Sequence, residues 1–151
     1  MKKTILTILL CGVMVLGMTG CGKQKNELDI GNKSDIKISQ NDVIMTIKEG
    51  TLTNKSATLV LTNNSDKNFQ YGNPYEIEIK KDGEWHKINV ELYFNMPAFQ
   101  LSAKENKKIE LDWENWYGKL PKGTYRIIKE IDYEYEEEKY EIFNVAVEFT
   151  I

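Results

Sequence analysis

From Asp42 onward the apolar residues of this chain recur at every second position, and that period constrains the fold more than any other feature. Side chains alternate between the two faces of an extended strand, so period two describes a strand with one dry face and one wet face. Val43, Met45 and Ile47 alternate with Ile44, Thr46 and Lys48, and Ala57, Leu59 and Leu61 alternate with Thr58, Val60 and Thr62. Phe69 and Tyr71 begin a further strand, and Tyr75, Ile77 and Ile79 alternate with Glu76, Glu78 and Lys80. Lys81-Asp82-Gly83-Glu84 reads as a hairpin turn, because Asp-Gly supplies the positive φ angles a tight turn demands, and Trp85 to Val90 is the returning strand. Ile109, Leu111 and Trp113 share a face, as do Tyr125, Ile127, Ile131, Tyr133 and Tyr135, and then Val145, Val147, Phe149 and Ile151. Glu91 to Ala98 is the least regular stretch, with room for a short helical turn, and Trp116 to Gly123 reads as a loop. Seven to nine short strands without a convincing helix predict an all-β antiparallel sandwich.

Ahead of this region the chain has a different character. Lys2 and Lys3 precede an almost wholly apolar run from Ile5 to Met18, which suits the hydrophobic region of a signal peptide and is short for a bilayer span. Leu16-Gly17-Met18-Thr19-Gly20-Cys21 then resembles the lipobox of bacterial lipoproteins, with Met18 where that family commonly has Leu. The resemblance implies that residues 1–20 are cleaved and that Cys21 carries lipid, which places the protein on the outer face of the cell membrane. Residues 21–37 are polar apart from Leu28, Ile30 and Ile36 and bury too little to offset their ordering entropy, so they read as a flexible stalk. Residues 38–151 form the sandwich. Acyl chains anchor through roughly 0.8 kcal/mol per buried methylene.

Composition narrows the chemistry. Cys11 and Cys21 are the only cysteines, so the domain beyond Cys21 holds no thiol for a disulfide, a nucleophile or a zinc site. His86 is the single histidine and lies after a hairpin with no nucleophile elbow beside it, so no catalytic residue is expected. Cleavage removes the charges of Lys2 and Lys3, taking the formal net charge from −3 to −5. An acidic chain without a basic cluster does not suit nucleic acid. Glu130, Asp132, Glu134 and Glu136 project from one strand face, but the Asp-x-Asp-x-Gly pattern of a calcium loop is missing, so neither metal nor cofactor is expected.

Asn63-Asn64-Ser65, Tyr71-Gly72-x-x-Tyr75-x-Ile77, Asp82-Gly83-x-Trp85 and Trp113-x-x-x-Tyr117-Gly118-x-Leu120-x-x-Gly123-x-Tyr125-Arg126 occur in order. Together they resemble a bacterial immunoglobulin-like domain of exported Gram-positive proteins, over roughly Val43 to Lys129. The bias of lysine over arginine, with abundant Asn and Ile, points the same way through its AT-rich codons. The resemblance implies a sandwich without catalytic activity. Tyr125 then sits where a tyrosine corner belongs, with its hydroxyl turned back to the backbone. Ile127 replaces the cysteine found there in antibody domains, with Leu59 or Leu61 as its apolar partner. Trp113 is expected in the core, and Trp85 fits either the core or an exposed site beside its hairpin.

Three residues stand out as candidate contacts. Trp116 and Tyr117 fall in the expected loop, where exposed aromatics would serve as a stacking platform or a protein hot spot. Arg126 is the only arginine; its planar fork suits a carboxylate or phosphate ligand, although pairing with Glu76 or Glu78 is the favoured reading. The loop Asn63 to Asn68 is a further candidate surface. The expected function is a membrane-anchored surface lipoprotein whose domain contacts a protein or the cell envelope. The alternative is an accessory ligand-binding or sensing lipoprotein of a transporter or receptor.

Overall fold

A computed structural model describes residues 27–39, 42–137 and 139–151, together with the backbone but not the side chain of Glu136. Residues 1–20, expected to be a signal peptide, lie outside the described residues, as do Cys21 and Glu138. Among the described residues ten antiparallel strands form two sheets, one more strand than the upper expectation. They are β1 (Ile30–Lys33), β2 (Val43–Ile47), β3 (Ser56–Asn63), β4 (Phe69–Tyr71), β5 (Glu76–Lys81), β6 (Glu84–Ile88), β7 (Phe99–Leu101), β8 (Asn106–Asp112), β9 (Thr124–Glu136) and β10 (Lys139–Thr150). The larger sheet runs β1-β6-β5-β9-β4-β7, with β10 along the other side of β9, and the smaller runs β2-β3-β8.

Period two explains the layers. On β3, Ala57, Leu59, Leu61 and Asn63 are buried and their neighbours are half-exposed. Ala57, Leu59 and Leu61 meet Ile77, Leu101, Ile127 and Ile131 of the larger sheet in one apolar cluster. Trp113 is fully buried, and its ring lies 5.9 Å from that of Phe149, which stacks at 5.5 Å on Tyr125. Tyr125 donates its hydroxyl to the Pro121 carbonyl at 2.8 Å, closing the tyrosine corner. Gly123 leaves room for this ring, since a Cβ there would stand 3.2 Å from Tyr125 Oη. Asp82 (φ 52°) and Gly83 (φ 84°) both take the positive φ that the two-residue β5–β6 hairpin requires.

Two local expectations are corrected. Glu91 to Ala98 contains no helical turn; the one helical turn among the described residues, α1 (Glu114–Tyr117), lies in the stretch read partly as a loop, where the Asp112 carboxylate accepts from the Glu114 amide at 3.0 Å. The segment read as a free stalk is fastened to the domain over its described part. Ile30–Lys33 pairs with β6, Asn89 N donates to Asp29 O at 2.8 Å, and Ser34 N donates to Trp85 O at 2.8 Å. The chain then crosses to β10, where Ile38 bridges Asn144. Ladder hydrogen bonds and half-buried Leu28, Ile30 and Ile36 supply what a count of apolar residues missed.

Candidate functional site

Position 126 lies on the outer face of the larger sheet, because β9 alternates and Tyr125 and Ile127 take the core side. Arg126 is buried there. Its Nε donates to Glu78 Oε2 at 2.7 Å, Nη2 lies 2.6 Å from the same oxygen, and the guanidinium stands 4.7 Å from the Trp85 ring centre. Nη2 also reaches Ser34 Oγ at 3.5 Å, so the N-terminal segment helps to cover the pair. Glu78 is fully buried, and its Oε1 has no hydrogen-bond partner. The fork of Arg126 is therefore engaged inside the protein and is not presented to a ligand. Trp85, half-buried, is the lid on this pair, an intermediate position between the two foreseen for it.

Tyr117 is likewise not an exposed loop aromatic. Burial turns its hydroxyl inward, where it accepts from the Ile77 amide at 2.9 Å, and desolvation raises its pKa well above the ordinary phenol value. Its ring stacks 6.3 Å from Tyr75. Burial, helped by the Asp112 charge, pushes Tyr75 up to about 12, and its hydroxyl donates to the Asp112 carbonyl at 3.4 Å. Both phenols stay neutral at physiological pH.

Trp116 is half-buried on α1 and faces an aromatic group that the sequence reading passed over. Its ring centre lies 6.2 Å from Tyr93 and 6.3 Å from Phe94, and Phe94 in turn is 5.3 Å from Tyr75. Tyr93 is 69% exposed and Met96 81% exposed. The signal was the consecutive run Leu92-Tyr93-Phe94, which breaks period two and so cannot all face a core. This shelf divides two adjoining cavities. One of about 260 Å³ is walled by Pro74, Leu92, Phe94 and Ile128. The other, about 290 Å³, lies between Tyr93, Asn95 and Trp116 on one side and residues 109–112 of β8 on the other.

The loop Asn63 to Asn68 is pinned from within rather than offered outward at its first residues. Buried Asn63 donates Nδ2 to Lys67 O at 2.7 Å and Ser102 O at 2.9 Å, and its Oδ1 accepts from both Ser65 N and Ser65 Oγ. His86 is half-buried on β6, with Nδ1 3.2 Å from the Gly31 carbonyl oxygen, to which it donates when protonated. Among the described residues no group of three His, Cys, Asp or Glu side chains is placed to hold a metal ion. No described helix is long and apolar enough to cross a membrane.

A buried cation was also missed. Lys129 lies on the core face of β9 and is 1% exposed. Its Nζ donates to the carbonyls of Gly72 at 2.8 Å, Pro74 at 2.9 Å and Asn73 at 3.4 Å, and desolvation lowers its pKa to about 8. It ties the turn before β5 to the central strand.

Compared with known proteins, residues 39–149 match the model of a family described as bacterial Ig-like domain. No curated protein matches the chain.

Proposed function

The chain belongs to the bacterial Ig-like domain family, and from that premise we propose that it is a non-catalytic interaction module, held on the extracellular face of the cell membrane by lipid on Cys21. The aromatic shelf carries this reading: Tyr93 stands in solvent against Trp116, with exposed Met96 three residues further along the same loop, on a framework whose other large aromatics are mostly packed. Exposed aromatics on a rigid scaffold are the usual anchors of protein contacts. The partner is a protein or another component of the cell envelope. The two cavities beside the shelf, of about 260 and 290 Å³, stand at the lower edge of the roughly 300–1,000 Å³ common for small-molecule pockets.

A photo-reactive residue placed at Tyr93 in intact cells tests the shelf. Cross-links to a discrete partner are expected there, absent from the same residue placed at Thr46 on β2 and lost when Trp116→Ala and Met96→Ala are added. Equal labelling at both sites would remove the shelf as the contact surface. The anchor is tested separately by Cys21→Ala, which is expected to abolish acyl labelling and release the mature domain from membranes; retained acylation would refute it.

A further inference from the structure

The smaller sheet ends in an unpaired strand seven residues long. β8 is bonded to β3 on one side only. Its outward groups follow from two hydrogen bonds at its ends: Asn63 N donates to Glu105 O, and Trp113 N donates to Lys55 O, both at 2.9 Å. Residues 105 and 113 thus turn their backbone toward β3. Because direction alternates along an antiparallel strand, Lys107, Ile109 and Leu111 do so too, while Asn106, Lys108, Glu110 and Asp112 turn theirs away. Asp112 O accepts from Tyr75, consistent with that direction. The outward N–H and C=O groups of Lys108 and Glu110 have no backbone partner among the described residues.

We propose that this edge pairs antiparallel with the β8 edge of a second copy, with Lys108 opposite Glu110 and the two Ile109 residues meeting on the two-fold axis. Charge selects the occupant and the register. Lys108 and Glu110 are exposed and have no ion-pair partner among the described residues. Centring the pairing on residue 109 sets each Lys108 against a Glu110 of the other copy. Centring on 108 sets lysine against lysine, and centring on 110 sets glutamate against glutamate on the axis, each a like-charge contact, although the latter also brings each Lys108 opposite an Asp112. Intermediate registers would match outward with inward backbone and make no ladder. Of these three registers, the one centred on 109 alone pairs opposite charges without also setting like charges together, which suits an isologous contact.

Edge lysines commonly deter indiscriminate strand pairing. Here Lys108 does so against other edges, while Glu110, two residues on, supplies the complement for this one. In this dimer the half-buried Ile109 side chains come together as a close non-hydrogen-bonded pair, and the two three-stranded sheets join into one of six strands. The inference rests on the β8 edge and not on the aromatic shelf.

Sedimentation equilibrium of the full chain, purified in a density-matched detergent, tests the proposal. Wild type is expected to associate to a dimer. Lys108→Glu alone makes both pairs Glu–Glu, and Glu110→Lys alone makes both Lys–Lys; each is expected to weaken association roughly tenfold or more. Mixing these two variants restores both Lys–Glu pairs, so a heterodimer is expected, and the double exchange Lys108→Glu/Glu110→Lys is expected to dimerise like wild type. The cross-strand neighbours on β3, Val60 and Thr58, are uncharged, so melting temperatures are expected to hold and to report folding separately. A wild-type monomer at all concentrations would overturn the proposal and leave the edge to a foreign strand. Association unaffected by either single reversal would overturn it equally, by assigning self-contact to the apolar N-terminus or another surface.

Discussion

Replacing Lys129 with Met should change how stability depends on pH. The ordinary lysine value of 10.5 is lowered to about 8 by burial. Between those two values the unfolded chain binds the proton that the native protein has released, so native stability rises with pH. Below about pH 8 both states are protonated and the full penalty of holding a desolvated ammonium applies, about 3 kcal/mol at 1.36 kcal/mol per unit. Raising the pH from about 7 to about 9.5 therefore relieves roughly 2 kcal/mol in the wild type and nothing in Lys129→Met. The three carbonyls of Gly72, Asn73 and Pro74 favour the charged form and work against this shift, which makes the figure an upper bound. Methionine keeps the apolar stem but leaves these carbonyls without their donor, so the absolute difference at neutral pH mixes two effects. The slope isolates one. Urea unfolding of both proteins at a series of pH values gives that slope, and the subtraction cancels the titration of the tyrosines. Parallel stability curves would refute the reasoning and show an ammonium solvated by its carbonyls as well as by water.

Other perturbations follow from the same contacts. Arg126→Lys loses the two nitrogens that converge on Glu78 Oε2 and the stacking against Trp85, and urea unfolding should show a loss of about 1–3 kcal/mol. Tyr117→Phe strands the buried Ile77 amide without an acceptor and should cost about 1–3 kcal/mol, whereas Tyr125→Phe removes one bond to Pro121 and should cost about 1 kcal/mol; equal losses would show that burial does not distinguish them. In spectrophotometric titration of the eight tyrosines, Tyr75, Tyr117 and Tyr125 should remain un-ionised at about pH 11, and full ionisation of the folded protein there would contradict their burial.

The sandwich was legible because the information lay in period and punctuation. Leu59, Leu61, Ile77 and Ile127 announce their faces by alternation, and Asp82-Gly83 announces its turn by φ. Lys129 was passed over because lysine normally marks the wet face. Yet it sits in register between Ile127 and Ile131, and that placement inside an otherwise apolar series was the available signal. β1 was missed for a different reason: four residues with one isoleucine carry no period, and their pairing with β6 is a contact between segments more than fifty residues apart. Tyr117 was read as exposed because a loop assignment does not say which side of a turn faces inward. The exposure of Tyr93 was foreshadowed only by an excess, three apolar residues in succession where a strand has places for two. Sequence periodicity thus reports burial within an element well, and reports poorly how two irregular segments lean on each other.

The path of residues 27–39 has a mechanical consequence. Traction applied anywhere upstream enters the domain at β1 and not at the sandwich itself. The first bonds to part are those between β1 and β6, followed by Ser34 to Trp85 and then the bridge at Asn144. Each lies at an edge strand of the larger sheet, and the packed centre around Trp113 and Tyr125 is loaded last. Peeling that segment away uncovers the Arg126–Glu78 pair before it disturbs the core. The segment thus behaves as a sacrificial lashing, yielding in steps and lengthening the chain while the domain behind it remains folded.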